Sequence, residues 1–142
     1  MRIAVLGARG FLGHRLVHSL SRAGHDVIAV SRGPEPADLP AGTRYVQATI
    51  DDGAALEPVL ATSDYAIDLA WDTTPGTSQR QPVLEISANV LPHARLIEIL
   101  QRCERCRLVF VSSGGAIYAE SNSTLDESSP IAPRSYYGAA KY

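Results

Sequence analysis

The sequence predicts an α/β fold with a doubly wound, parallel sheet. The first observation behind this is alternation. Runs of strand character, RIAVL (2–6), DVIAVS (26–31), YVQAT (45–49), YAIDLA (65–70) and RLVFVS (107–112), alternate with helical stretches near 11–23, 53–61 and 80–102. The second is that several strand runs are almost continuously apolar, as strands covered by helices on both faces are. The third is size: 142 residues, 45% hydrophobic and 20% charged, suit one ordinary globular domain.

The first strand runs straight into GARGFLG, with Gly7, Gly10 and Gly13 three apart, and a helix follows. In a strand–turn–helix context such glycines permit a tight turn and leave bare backbone for a pyrophosphate. The helix start then offers unpaired N–H groups and a partial positive charge to the phosphates. On that helix, Leu12, Leu16 and Leu20 mark the face expected to be buried. His14 and His18, one turn apart, are expected on the solvated face, and no metal site is expected.

The end of the second strand should select the dinucleotide. An acidic residue there suits the ribose 2′-hydroxyl of NAD, and arginine suits the 2′-phosphate of NADP. The sequence offers Ser31 and Arg32, and Arg9 within the glycine loop is a second cation. These favour NADP over NAD. Residues 33–43 then form a Pro/Gly loop. In the long helix, Pro92 removes a backbone donor and predicts a kink or restart. Val83, Ile86, Val90, Ala94 and Ile97 form one apolar stripe, with Leu84, Leu91 and Ile99 outside it. That pattern fits a helix buried all round, or one with a face on the sheet and another on a partner subunit. Residues 113–135 form a long Gly/Ser/Pro-rich loop of the kind that carries function.

The chain closes on YYGAAKY. Tyr137 and Lys141 are four apart and share a helix face, whereas Tyr136 has Ala140 at that spacing. An ammonium beside a tyrosine favours the phenolate, giving an acid/base for an alcohol/carbonyl pair. The strand ending VSSGG supplies Ser112 and Ser113, and a serine hydroxyl there can bind a substrate oxygen.

Other classes find little support. A net charge of −2 gives no basic field for nucleic acid or an anionic membrane. No apolar run approaches the roughly 20 residues of a membrane span, and the start lacks a signal peptide's apolar region, so a cytoplasmic protein is expected. Cys103 and Cys106 form a C-x-x-C without a second pair, and two reduced thiols are expected.

Taken together, GARGFLG, HDVIAVSR, DYAIDLAW, Asn89-Val90, FVSSGGAIYA, the Glu127…Pro130…Pro133 loop and YYGAAK make the chain resemble the N-terminal half of an extended short-chain dehydrogenase/reductase. The resemblance is to the NAD-dependent epimerase/dehydratase family, which acts largely on nucleotide sugars. It implies a Rossmann fold over 1–142 that stops before the last strands and the substrate domain, as part of a longer enzyme. It further implies Tyr137 as acid/base, Lys141 as its partner and a ribose ligand, and Ser113 as the substrate-orienting serine. Cofactor contacts would come from Gly7, Arg9, Gly10, Phe11, Leu12, Gly13, Ser31, Arg32, Thr49, Ile50, Leu69, Ala70, Trp71, Asn89, Tyr137 and Lys141. The implied activity is NAD(P)-dependent oxidation, epimerisation or dehydration of a nucleotide-activated sugar by a homodimer. A dinucleotide-binding module without turnover is the alternative, above all for this stretch alone. The chain departs from the family pattern at Ala48-Thr49, where Gly-Asp is common, and at Asp68-Leu69-Ala70-Trp71, where His-hydrophobic-Ala-Ala/Gly is usual.

Overall fold

The structure is a computed structural model describing residues 1–122 and 124–142. Residue 123, in the 113–135 loop, lies outside the described residues. The described chain forms two compact units. One comprises Met1–Trp71 and Pro92–Val111, the other Asp72–Leu91 and Ser112–Tyr142.

The first unit holds a five-stranded parallel sheet in the order β3-β2-β1-β4-β5. Its strands are β1 (Arg2–Leu6), β2 (Asp26–Ser31), β3 (Arg44–Gln47), β4 (Tyr65–Asp68) and β5 (Arg107–Phe110). The strands alternate under their continuous apolar runs. Ala4, Leu6, Ile28, Val30 and Ala66 face one core with Leu56, Val59, Leu60, Leu96 and Ile99, which come from α2 (Gly53–Leu60) and α5 (Leu91–Leu100). Ile3, Val5, Val27 and Ala29 face the other with Val17, Leu16 and Leu20 of α1 (Phe11–Arg22). Helices thus cover both faces, as the sequence predicts.

β5 is the edge strand of this sheet, and all four of its residues are exposed. Two local expectations are corrected. Leu12 is exposed, because α1 turns its Gly13–Val17 side to the core and its first turn faces outward. His18 is not simply solvated, since its Nε2 is buried.

The second unit contains α3 (Pro75–Arg80), α4 (Pro82–Glu85), a π turn (Ile86–Val90), α6 (Gly114–Ile117) and α7 (Tyr136–Lys141). The long helix read from the sequence is therefore interrupted. The Leu91 N–H reaches back five residues to the Ile86 carbonyl, and α5 restarts so that Pro92 is its second residue, where its missing N–H costs nothing. This stretch is not buried all round: Val83, Ile86 and Val90 of the stripe are exposed, and so is Leu91 outside it. The buried positions of this stretch are Glu85 and Asn89. α7 packs against α3, α4, α6 and the π turn. A Cβ on Gly138 would collide with the Ala116 carbonyl, so this glycine lets α7 lie against α6. The Ser135 hydroxyl caps α7 by accepting from Gly138 N–H at 3.0 Å.

Candidate functional site: a dinucleotide cradle and a tyrosine–lysine pair

In the first unit the cradle forms where the sheet order reverses between β1 and β4, the usual ligand crevice of open α/β sheets. Gly7 has φ +79°, and a Cβ there would lie 2.8 Å from Ala70 N and 2.9 Å from the Leu69 carbonyl carbon. Only glycine lets the turn after β1 lie against the end of β4. Gly13 is equally constrained, because its Cβ would sit 2.8 Å from Ala8 Cα. The N–H groups of Gly7 and Ala8 both donate to the Val30 carbonyl at 3.0 Å, fixing the turn to β2. Helix α1 closes its first bond from His14 N–H to the Gly10 carbonyl at 2.9 Å, so the N–H groups of Phe11, Leu12 and Gly13 lie ahead of it. Phe11 and Leu12 are both exposed beside these donors. Bare glycine backbone and orphan donors at a helix start fit a pyrophosphate.

The end of β2 is also organised. The Gly33 carbonyl accepts from Tyr45 Oη at 2.5 Å, and the Arg32 carbonyl accepts from Gln47 Nε2 at 3.1 Å. The Arg9 guanidinium lies over Gly33, where a Cβ would collide with it. Ser31, Arg32 and Arg9 therefore gather at one strand end, as their positions in the sequence suggest. After β3, the neighbouring Thr49 hydroxyl first, then Asp51's own backbone N–H and Arg95, hold the Asp51 carboxyl below the usual carboxylate range. Arg95 Nη1 lies 3.1 Å from Asp51 Oδ2. Ile50, next to Thr49, packs against the core.

At the end of β4, Asp68 is buried and accepts from Ala70 N–H at 3.0 Å. Its other oxygen is 3.0 Å from His93 Nε2, an ion-pair separation without hydrogen-bond alignment. Trp71 packs on His93 with ring centroids 4.8 Å apart, and its ring meets Phe110 edge-on at 5.9 Å. Sequence reasoning missed His93 and Asp51, whose partners lie 25 and 44 residues away. No local pattern announces such pairings.

In the second unit, Asn89 is fully buried. Its Oδ1 accepts from Asp72 N–H at 2.8 Å, and its Nδ2 donates to Thr73 Oγ1 at 2.9 Å and Glu85 Oε1 at 3.0 Å. Thr73 Oγ1 donates to Glu85 Oε2 at 2.5 Å. Asn89 thus holds the Asp72–Thr73 segment, a role the sequence alone does not reveal. On α7 the two tyrosines differ: Tyr136 is 52% exposed, Tyr137 is half-buried, and Lys141 is 6% exposed. The Ser112 hydroxyl donates to the Lys141 carbonyl at 2.7 Å, while Ser113, half-buried, starts α6.

The C-x-x-C pair has free thiols. Burial pushes Cys106 up to about 11, with Cys103 and Asp64 adding to it, and burial also raises Cys103. This is the reverse of the electropositive setting of a reactive thiolate. Among the described residues, no helix is long and apolar enough to cross a membrane.

The chain is similar to several known proteins. A putative UDP-glucose 4-epimerase from Methanocaldococcus jannaschii is 31% identical over 144 residues, covering 99% of this chain and 47% of its own length. A dTDP-glucose 4,6-dehydratase from Mycobacterium tuberculosis is 27% identical, with 99% of this chain and 46% of its own covered. The solved structure of Thermus thermophilus UDP-glucose 4-epimerase in complex with NAD superposes with a TM-score of 0.86 at 27% identity, covering 99% of this chain and 47% of that one. The chain spans about half the length of these two curated relatives. Residues 3–142 match the NAD dependent epimerase/dehydratase family, and the chain belongs to that family.

Proposed function

We propose that the whole protein is an oxidoreductase, epimerase or dehydratase acting on a nucleotide-activated sugar, as the names of its relatives suggest, and that it uses NADP. The choice of NADP rests on Arg9 and Arg32 at the end of β2, whereas the names of the family and of the Thermus thermophilus complex carry NAD. In this reading the first unit holds the dinucleotide and the second moves the proton. The observation that carries it is the asymmetry on α7: Tyr137 is half-buried with buried Lys141 one turn on, and Tyr136 is exposed.

When bound, a nicotinamide dinucleotide supplies hydride acceptance and donation. The Phe11, Leu12 and Gly13 N–H groups and the bare faces of Gly7 and Gly10 receive its phosphates. Arg9 and Arg32 receive the 2′-phosphate, beside Ser31. Thr49 accepts from the adenine amino group, with Ile50 alongside. Leu69, Ala70 and Trp71 border the cofactor, and Asn89 serves it by holding Asp72–Thr73. Tyr137, in its phenolate form, takes the proton from a sugar hydroxyl and becomes the phenol, which gives the proton back in the reverse step. Lys141 balances the phenolate's negative charge and contributes a ribose contact. Ser113 orients the substrate oxygen, since the Ser112 hydroxyl is engaged on the Lys141 carbonyl. The exposed Val83, Ile86, Val90 and Leu91 support association of two copies.

The test of cofactor choice is titration of the chain with NADPH and NADH at fixed low salt. A charge-assisted phosphate contact of about 1.5–3 kcal/mol predicts roughly 10- to 100-fold tighter NADPH binding. Arg32→Ala should remove most of that margin. Equal affinities for the two cofactors would defeat the assignment to NADP.

A further inference from the structure

His14 and His18 stand one turn apart on α1, with ring centroids 4.6 Å apart and planes tilted by 49°. The chain returns to them after β2. Leu39 packs into the core that includes Leu16 and Leu20, and this seats its neighbour Asp38 over the helix. Asp38 Oδ2 lies 2.8 Å from His14 Nε2. One donor atom from each of the three side chains falls within 4.8 Å of the others. His18 Nε2 is buried without a hydrogen-bond partner. An exposed His–Asp ion pair alone explains neither the second ring nor its unpartnered nitrogen.

We propose that His14, His18 and Asp38 form a binding site for a divalent transition-metal ion, Zn²⁺ foremost, that ties α1 to the segment after β2. The donor set argues for this class of ion. Two imidazoles and one carboxylate suit Zn²⁺ and its neighbours rather than Mg²⁺ or Ca²⁺, which take oxygen ligands. Three protein ligands leave a tetrahedral position for water. Zn–N bonds of about 2.0–2.1 Å put tetrahedral donors roughly 3.3 Å apart. The most distant pair, within 4.8 Å, therefore closes by at most about 1.5 Å. Side-chain rotation can supply that movement, since the His14 and Asp38 side chains are 39% and 66% exposed. The same exposure gives the ion an entry path. The site is separate from the sugar chemistry proposed above and does not depend on it. It lies on the helix that follows the glycine turn and on the loop that follows Arg32, so an ion there would brace both.

The test is a Zn²⁺ titration of the metal-free 142-residue chain against a chromophoric chelator, with circular dichroism of every variant. One Zn²⁺ per chain is expected. Asp38→Ala, which alters an exposed loop side chain, and His18→Ala should each weaken binding about 10-fold or more. Co²⁺ substitution should give visible absorption bands that His14→Ala abolishes. The Cys103→Ser, Cys106→Ser double variant should bind as the parent does. The proposal is overturned if no stoichiometric ion binds, if Asp38→Ala and His18→Ala bind as tightly as the parent, or if binding depends on the two cysteines.

Discussion

Gly7→Ala tests the account of the cradle most sharply, because its cost divides into two parts and another glycine isolates one of them. Gly7 has φ +79°, a conformation that costs an L-residue roughly 1–2 kcal/mol. A Cβ at this position also stands 2.8 Å from Ala70 N and 2.9 Å from the Leu69 carbonyl carbon. Both are backbone atoms at the end of β4 and cannot rotate away, so the turn or the strand end must shift, adding about 1–3 kcal/mol. The expected total is about 2–5 kcal/mol. Gly24 is the control: its φ is +80°, yet a Cβ there meets nothing within 4 Å. Gly24→Ala should show the conformational part alone, about 1–2 kcal/mol. Urea denaturation followed by far-ultraviolet circular dichroism reads both midpoints. Dinucleotide titration should show weaker binding in Gly7→Ala only, since that variant moves the phosphate turn. If the two alanine variants lose the same stability and bind dinucleotide alike, the close approach of the β1 turn to β4 is not what requires glycine.

Two other consequences follow from the polar contacts. Asn89→Ala removes an acceptor from Asp72 N–H and two donors, one of them to the buried Glu85. At about 0.5–1.5 kcal/mol per bond it should cost roughly 2–4 kcal/mol, and a urea midpoint within error of the parent would contradict the role assigned to it. Asp51 is held below its ordinary value by Thr49 first, then by its own backbone N–H and Arg95. Its folded value is the lower one, so its contribution is fully present above the unfolded value of about 3.9 and is lost as pH falls through the folded value. Asp51→Asn should therefore flatten the acid limb of a stability–pH curve below about pH 4, and an unchanged slope there would show that these contacts add nothing.

The parts of the fold legible in the sequence are those with a local cause. β1, β2 and the GARGFLG turn show themselves through apolar runs and glycine spacing, because the backbone conformation and core alternation are written at neighbouring positions. Pro92 announced a break, though not its form. The π turn that accommodates it also places Asn89 against Glu85, a pairing set by buried polar groups rather than apolar period. Leu108, Val109 and Phe110 read as a strand, and they form the exposed edge of the sheet; an apolar run by itself says that a strand is there and not what lies beside it. His93 beside Asp68, Arg95 beside Asp51 and Asp38 beside His14 were illegible for one reason: each joins elements distant in sequence. The choice of Tyr137 over Tyr136 rests on a four-residue spacing, and the difference in their exposure points the same way.

Turnover of the Tyr137→Phe and Tyr136→Phe variants of the whole protein, measured side by side with the nucleotide sugar that the parent converts, tests the central claim most directly. Phenylalanine keeps the ring packing but cannot exchange a proton. The account predicts that Tyr137→Phe binds dinucleotide as the parent does and loses about 100- to 10,000-fold in kcat, the range for a positioned acid/base. Tyr136→Phe should stay close to the parent, because Tyr136 is exposed and has no lysine one turn on. Loss of turnover in Tyr136→Phe with full activity in Tyr137→Phe would contradict the assignment of the proton transfer to Tyr137 and Lys141.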